Sequence, residues 1–365
     1  MKTTLLFVLG AFLLASCDTP PFDKYFPNPP AQDPATLEEV ASSPNQWTGV
    51  TASQENRIFL NYPNWSPAPT PAVVELLAGN QLTPYPNEEW NTWDSTLAPQ
   101  DHFVCVQSVF VDDDNYLWVL DPANPQRNGQ YLGVVEGGAK LVKIDLASNE
   151  VIDKIIFSAP VIVPNSYLND VRIDTEEQYA YITDSNEGAL VVVNLATKEA
   201  RRLLDDHFST APEHPLVIDG EVWRTPQGEV SLVASDGIAL SPDRTTLYYH
   251  ALTGSSLYSI ATATLRDASL TDAQVAAEVQ YLDQTGATDG MLYGEDGSIY
   301  HSNMEEYAIT RYTPEGVLET VVQDSALKWP DTFYWAPDGD IYVTTSQIHI
   351  PNPTEPYKLF KINLK

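Results

Sequence analysis

Apolar and polar residues alternate along this chain in short bursts separated by turn residues, and the bursts come in pairs that recur six times. Each pair is an apolar strand opened by a small polar or acidic residue, then a turn such as Ser241-Pro242-Asp243 or Pro337-Asp338-Gly339, then a second strand rich in Tyr or Trp. Period-two alternation bounded by such turns predicts β-hairpins. The copies open at Thr48, Gln107, Asp170, Asp236, Asp289 and Asp331, so successive copies lie 59, 63, 66, 53 and 42 residues apart. Intervals of that length hold four strands each, and the pattern predicts an all-β fold, a six-bladed β-propeller over residues 37–365. The last copy shows one further clear strand only, Tyr357 to Leu364. The closing blade is therefore expected to take its missing strand from near Leu37 to Ala41, which leaves no open sheet edge. Helical periodicity is nearly absent, and Leu270 to Val279 is the one candidate for a short helix.

The first residues read differently. Lys2 precedes an apolar run from Leu5 to Ala15, too short to span a bilayer, which ends in Leu14-Ala15-Ser16-Cys17. This is similar to a bacterial lipoprotein signal, with residues 1–16 removed and Cys17 acylated, an attachment that two or three acyl chains make stable. Residues 17–36 then form the lipidated Cys and a Pro-rich tether, since seven prolines fall between Asp18 and Pro44 and favour a stiff extended chain. The expected location is the cell envelope, on its periplasmic or surface face, with the lipid anchor as the only membrane contact. With Cys17 so used, Cys105 has no partner for an intrachain disulfide, and its setting in Phe103-Val104-Cys105-Val106 predicts a buried, inert thiol.

Charge narrows the partners. The chain carries 19 basic and 50 acidic residues, a net charge of −31, which disfavours nucleic acid and anionic lipid surfaces. With 43% hydrophobic residues the chain fills one large β domain, expected to be monomeric. The opening position of each repeat faces the mouth of a propeller's central channel, so Asp170, Asp236, Asp289 and Asp331 bring four carboxylates from adjacent blades to one space, with Gln107 and Asn169 beside them. Such groups raise each other's pKa, bind a cation, or are neutralised by a basic ligand. Mixed carboxylate and amide oxygens suit Ca²⁺ or another divalent ion, for which Asn169, Asp236 and Asp289 are the candidate ligands. The alternative is that these Asp residues cap strand ends. Asp243, Asp296 and Asp338 are read as turn formers only, and Asp112-Asp113-Asp114 as a solvated turn. His250 and His301 close second strands and are read as surface or loop residues. The insertion from Asp206 to Val233 is long enough to cover one mouth of the channel and carries Trp223, a candidate contact for an aromatic ligand, although a hairpin packing locally at the blade edge is equally compatible.

Several phrases taken together resemble the major royal jelly and yellow protein family in order and spacing. They are Asn80-Gln81-Leu82-Thr83-Pro84-Tyr85-Pro86, Val106-Gln107-Ser108-Val109, Leu168-Asn169-Asp170, Thr288-Asp289-Gly290-Met291 and Trp329-Pro330-Asp331-Thr332. The resemblance implies a six-bladed propeller. For insect members it implies secretion and roles that include binding biogenic amines in the central pocket and conversion of dopachrome; the paired cysteines of many of those members are missing here. A looser resemblance is to gluconolactonase and regucalcin-like propellers, whose divalent metal is held by a Glu, two Asn and an Asp. Asn169 and Asp289 match that set, while Gln107 stands for the Glu and Asp236 for an Asn. By that analogy Asp236 or Asp289 would be the general base.

No zinc-like His spacing, nucleophile elbow or Gly-x-Gly-x-x-Gly loop is present. Three functions stay open: a small-molecule binder for a cationic or aromatic ligand (Gln107, Asn169, Asp170, Asp236, Asp289, Asp331 and Trp223), a metal-dependent lactonase-like hydrolase or dopachrome-type isomerase, and a protein-recognition propeller.

Overall fold

Six four-stranded antiparallel sheets follow one another around a central axis in the computed structural model, which describes residues 35–67, 71–337 and 339–364. Blade 1 is Val50–Ala52, Ile58–Asn61, Val73–Leu77 and Gln81–Pro84; blade 2 is Ser108–Val111, Tyr116–Asp121, Lys140–Asp145 and Glu150–Ile156. Blade 3 is Leu168–Asp174, Tyr179–Asp184, Ala189–Asn194 and Ala200–Leu203; blade 4 is Ser235–Leu240, Thr246–Ala251, Ser256–Ala261 and Gln280–Gln284. Blade 5 is Met291–Tyr293, Ile299–Asn303, Ala308–Tyr312 and Leu318–Gln323. Blade 6 is Pro330–Trp335, Ile341–Thr345 and Tyr357–Asn363, completed by Thr36–Ser43 from the other end of the sequence, as the strand count required. The expected helix appears as Asp272–Ala276, opened by a capping box between Thr271 and Gln274. The signal segment, Cys17, most of the tether and Asp338 lie outside the described residues.

The core is the set of seams between blades. Alternate residues of neighbouring sheets fill each one: Leu120, Val171, Ile182 and Val191 between blades 2 and 3, and Leu190, Ile238, Leu247 and Tyr249 between blades 3 and 4. The seam between blades 4 and 5 is built from Ala239, Leu257, Met291 and Ile299. Here the structure corrects the sequence reading, because His250 and His301 are both fully buried rather than at the surface. Burial, reinforced by the neighbouring His250, pulls the His301 pKa down to about 3, so its ring is neutral. Asp112 is a second correction: it is buried and accepts the indole N–H of Trp118 at 2.7 Å, while Asp113 and Asp114 remain exposed.

Register decides which side chains reach the channel. In blade 3 Leu168 pairs with Asp184 and Val171 with Ile182, so Asn169 and Asp170 together oppose Thr183 alone. The same two-against-one bulge sets Asp236 and Gly237 opposite His250 in blade 4, and Asp331 and Thr332 opposite Thr344 in blade 6. Aligning the blades on these bulges makes Asn169, not Asp170, the counterpart of Asp236 and Asp331. The expected position in blade 3 is thus shifted by one residue, and Asp170 sits one step further along the inner strand.

The segments leading into the ring are clamped from the second strands. Asp121 accepts the backbone N–H groups of Val104 (2.7 Å), Cys105 (2.9 Å) and Ala123 (2.8 Å), and Lys140 closes an ion pair on it at 2.7 Å with both side chains fully buried. Asp184 repeats the device in blade 3, accepting from Tyr167 N–H at 2.9 Å and pairing with Arg202 at 2.7 Å. Breaking a buried pair strands the remaining charge, at a cost of about 3–5 kcal/mol. Lys140→Met is accordingly expected to lower the urea-unfolding free energy by about that amount, and adding Asp121→Asn to recover part of it. A Lys140→Met chain as stable as the parent would show that the clamp does not carry the lead-in to Gln107.

Candidate functional site

Thr48, Gln107, Asn169, Asp236, Asp289 and Asp331 form the ring at the channel mouth, one from each blade in order. Hydroxyl and amide staples join successive members: Asn61 Nδ2 donates to the Gln107 carbonyl at 3.0 Å, Thr183 Oγ1 to the Asp236 carbonyl at 2.7 Å, and Thr344 Oγ1 to the Thr48 carbonyl. Three adjacent blades therefore present carboxylates and the other three present neutral groups. Asn169 donates its amide N–H to Asp236 Oδ2. Asp289 Oδ2 accepts the indole N–H of Trp329 at 2.6 Å, and Asp236 and Asp289 share a hydrogen bond.

Beneath the ring lies a cation that the sequence reading missed. Arg172, two residues beyond Asp170 on the same inner strand, donates across the channel to the Met291 carbonyl of blade 5 at 2.8 Å, and its guanidinium lies over the Phe110 ring of blade 2 at 5.5 Å. Asp170 is 3.7 Å from it, so this fourth carboxylate is directed at Arg172 rather than at its three relatives. A charged residue at an alternating position of an inner strand was the available signal.

Aromatic residues wall the mouth on two sides. Tyr167 donates to Gln107 Oε1 at 2.7 Å and accepts from Trp65 Nε1 at 2.8 Å, and Tyr131 packs on it at 5.0 Å. Opposite, Trp329 lies between Trp223 at 4.8 Å and His349 at 5.8 Å. Trp223 belongs to the insertion, whose Leu216 and Ile218 pack with Leu252 of the loop after the second strand of blade 4, Ala287 and Met304 beside blade 5, and Trp329 before blade 6. Its Asp219 accepts from Tyr307 at 2.7 Å and its Gln227 donates to the Asn128 carbonyl at 2.9 Å, in the connection between the second and third strands of blade 2. The insertion thus bridges loops of several blades at the mouth instead of packing on one edge. Trp223 meets the carboxylates through Trp329, one side chain removed. Cys105 is buried below Tyr167, its Sγ 3.8 Å from the phenol, and burial pushes the thiol up to about 12, as expected of an inert core group.

Electrostatics follows from this enclosure. Burial is the main cause and the neighbouring carboxylates the second: Asp236 is raised well above the ordinary carboxylate range by desolvation and by Asp289, Asp170 and Asp331, and Asp331 is raised by desolvation and by Asp289. Asp289 is raised to about 7, less far because Trp329 hydrogen-bonds its charged form. Such a set holds protons at neutral pH, as paired carboxylates do. The candidate metal ligands are engaged with one another: Asn169 turns its amide N–H, not its oxygen, toward Asp236, Asp289 is taken by an indole, and among the described residues no three His, Cys, Asp or Glu side chains converge on a metal position. In this arrangement the donor set does not fit a divalent ion.

A raised carboxylate pKa means that the folded state binds more protons than the unfolded chain between the ordinary carboxylate value and the folded one. The contribution of Asp289 to stability therefore grows as pH falls through about 7 and is lost above it. Asp289→Asn, which keeps an acceptor for Trp329, is expected to stabilise the protein at pH 8 by at least about 1 kcal/mol, with the gain shrinking as pH falls below about 7 and closing only near the ordinary carboxylate value of 3.8. Chemical unfolding of both chains across that range measures it, and a gain independent of pH would detach it from the Asp289 proton.

Residues 104–350 match the family described as Major royal jelly protein. Major royal jelly protein 5 of Apis mellifera is 25% identical over 237 residues, covering 60% of this chain and 35% of that one. Major royal jelly protein 1 of the same organism is 24% identical over 261 residues, 67% of this chain and 57% of that one. The chain thus spans 35–57% of the length of these two relatives. Among solved structures, a luciferin-regenerating enzyme superposes with a TM-score of 0.56 at 11% identity over 90% of this chain and 95% of that one. A gluconolactonase from Xanthomonas campestris superposes with a TM-score of 0.55 at 11% identity over 91% and 90%. At those identities the likeness is one of fold. The family match covers the greater part of the chain, from the lead-in to Gln107 through the whole carboxylate ring to the loop beyond Thr345, and the protein belongs to the major royal jelly protein family.

Proposed function

We propose that the protein is a lipid-anchored propeller of the cell envelope that binds a small organic cation, an arylalkylammonium in chemical class, at the carboxylate ring. The observation that carries this reading is the imbalance of charge: three buried carboxylates from adjacent blades face one space, while Arg172, the cation beneath the ring, is directed at Asp170. An ammonium group placed there would take over the role of the protons that the ring carboxylates retain, and would do so in a water-poor site where charge pairing is strong. Trp329, Tyr167 and Tyr131 supply flat apolar surface and cation–π faces beside it. The anchoring half of the reading rests on Leu14-Ala15-Ser16-Cys17 and the Pro-rich segment behind it.

Thermal and chemical unfolding of the full chain with 2-phenylethylammonium, with neutral 2-phenylethanol and with Ca²⁺ distinguishes the readings. The ammonium is expected to stabilise by about 2.7 kcal/mol at a hundred times its dissociation constant. The neutral analogue is expected to have no effect, and Asp236→Asn with Asp289→Asn to abolish the response. Stabilisation by Ca²⁺ together with chelator-sensitive turnover of a lactone would instead assign a metal-dependent hydrolase. Indifference to every small molecule would leave protein recognition. Separately, Cys17→Ala is expected to release the chain from the membrane fraction and to remove an acyl mass from its N-terminal peptide; a variant that still sediments with membranes would refute the anchor.

A further inference from the structure

The seam between blades 4 and 5 departs from the others in one respect. Where blades 3, 5 and 6 carry Thr183, Ser302 and Thr344 at the staple position, blade 4 carries His250, opposite the Asp236-Gly237 bulge. Its Nδ1 is bonded to the Ala251 carbonyl at 2.6 Å, and its Nε2 is buried with no partner. Across the seam, His301 is fully buried with both ring nitrogens unpartnered, as is the Thr310 hydroxyl paired beside it. Buried polar atoms without partners are rare and ask for an occupant.

The same register places a sulfur on the face of the sheet that carries His301. Met291 is the cross-strand partner of His301, and a Cβ added to Gly237 would lie 3.0 Å from Met291 Sδ and 2.9 Å from its Cγ. The thioether thus rests over Gly237, the residue of the bulge that opposes His250. Two neutral imidazoles and a thioether face one seam from Met291, His301 and His250. We propose that this seam is a binding site for monovalent copper, held by His250 Nε2, a ring nitrogen of His301 and Met291 Sδ. Thioether and imidazole ligands with no carboxylate or thiolate among them select a soft monovalent ion over Ca²⁺, Mg²⁺ or Zn²⁺.

Anaerobic titration of the purified full chain with Cu(I) in competition with bicinchoninate tests this. The expected result is one Cu(I) per chain, with nitrogen and sulfur scatterers in its X-ray absorption spectrum. Met291→Leu, which conserves volume, should remove the sulfur signal, and it and His301→Gln should each weaken binding by at least about tenfold, the lower bound even for outer-sphere partners. No capture of Cu(I) from the competitor, or capture unchanged in Met291→Leu, would overturn the proposal and leave ordered water as the occupant. Met291→Leu carries the test by itself if His301→Gln does not fold.

Discussion

Everything at the channel mouth depends on one long-range pairing, the strand Thr36–Ser43 on Tyr357–Asn363. Blade 6 then meets blade 1, and the hydroxyl of Thr344 reaches the carbonyl of Thr48, 296 positions away in sequence. Bringing together points so far apart costs roughly 5 kcal/mol of chain entropy, a quantity that grows only slowly with length. The backbone ladder and the fully buried Trp47, Leu60, Val74 and Leu359 at that junction offset it. Without closure the face of blade 6 that carries Thr344 toward blade 1 would be uncovered, and the ring would lose both its shape and its shielding from water.

Closure also explains why carboxylates can be concentrated there at all. Asp236, for example, is held by its own blade's bulge and by the Thr183 staple from the preceding blade, which fixes its backbone at the mouth beside the other carboxylates. The charge is instead managed chemically. Asp170 is given Arg172, Asp289 is given an indole donor, and Asp236 and Asp289 retain protons. A site arranged this way is preorganised for positive charge, because the desolvation of its carboxylates has been met during folding and not during binding.

Alternation and turn chemistry carry the blade count, the closing strand and five of the six ring positions, since a repeated hairpin leaves its mark in the local pattern at every copy. The sixth position was misread because Asp170 and Asn169 are neighbours, and only pairing with Thr183 shows that a bulge puts Asn169 in the ring. A bulge changes register without changing which residues are apolar, so alternation alone is blind to it. His250 and His301 were misread for a related reason. A polar residue at a strand end reads as solvent-exposed, whereas in a propeller that end is packed against the next blade. Trp329 was present in the Trp-Pro-Asp-Thr phrase, but its bond to Asp289 spans 40 positions and has no local signature.

Trp329 shows how the insertion and the ring are mechanically linked. Its φ of +58° is one that a bulky side chain rarely adopts, and the strain is of the order of 1–3 kcal/mol. The compensating contacts are specific: the indole N–H on Asp289, the faces of Trp223 and His349, and the Ser346 N–H on its carbonyl at 3.0 Å. Two of these partners belong to different masters, since Asp289 is part of the ring and Trp223 part of the insertion. Any group that takes the Asp289 oxygen from the indole removes the bond that helps hold Trp329 in its strained conformation, and with it a support of the Trp223 contact. Occupancy of the ring and seating of the insertion are therefore not independent, because one side chain under strain is shared between them.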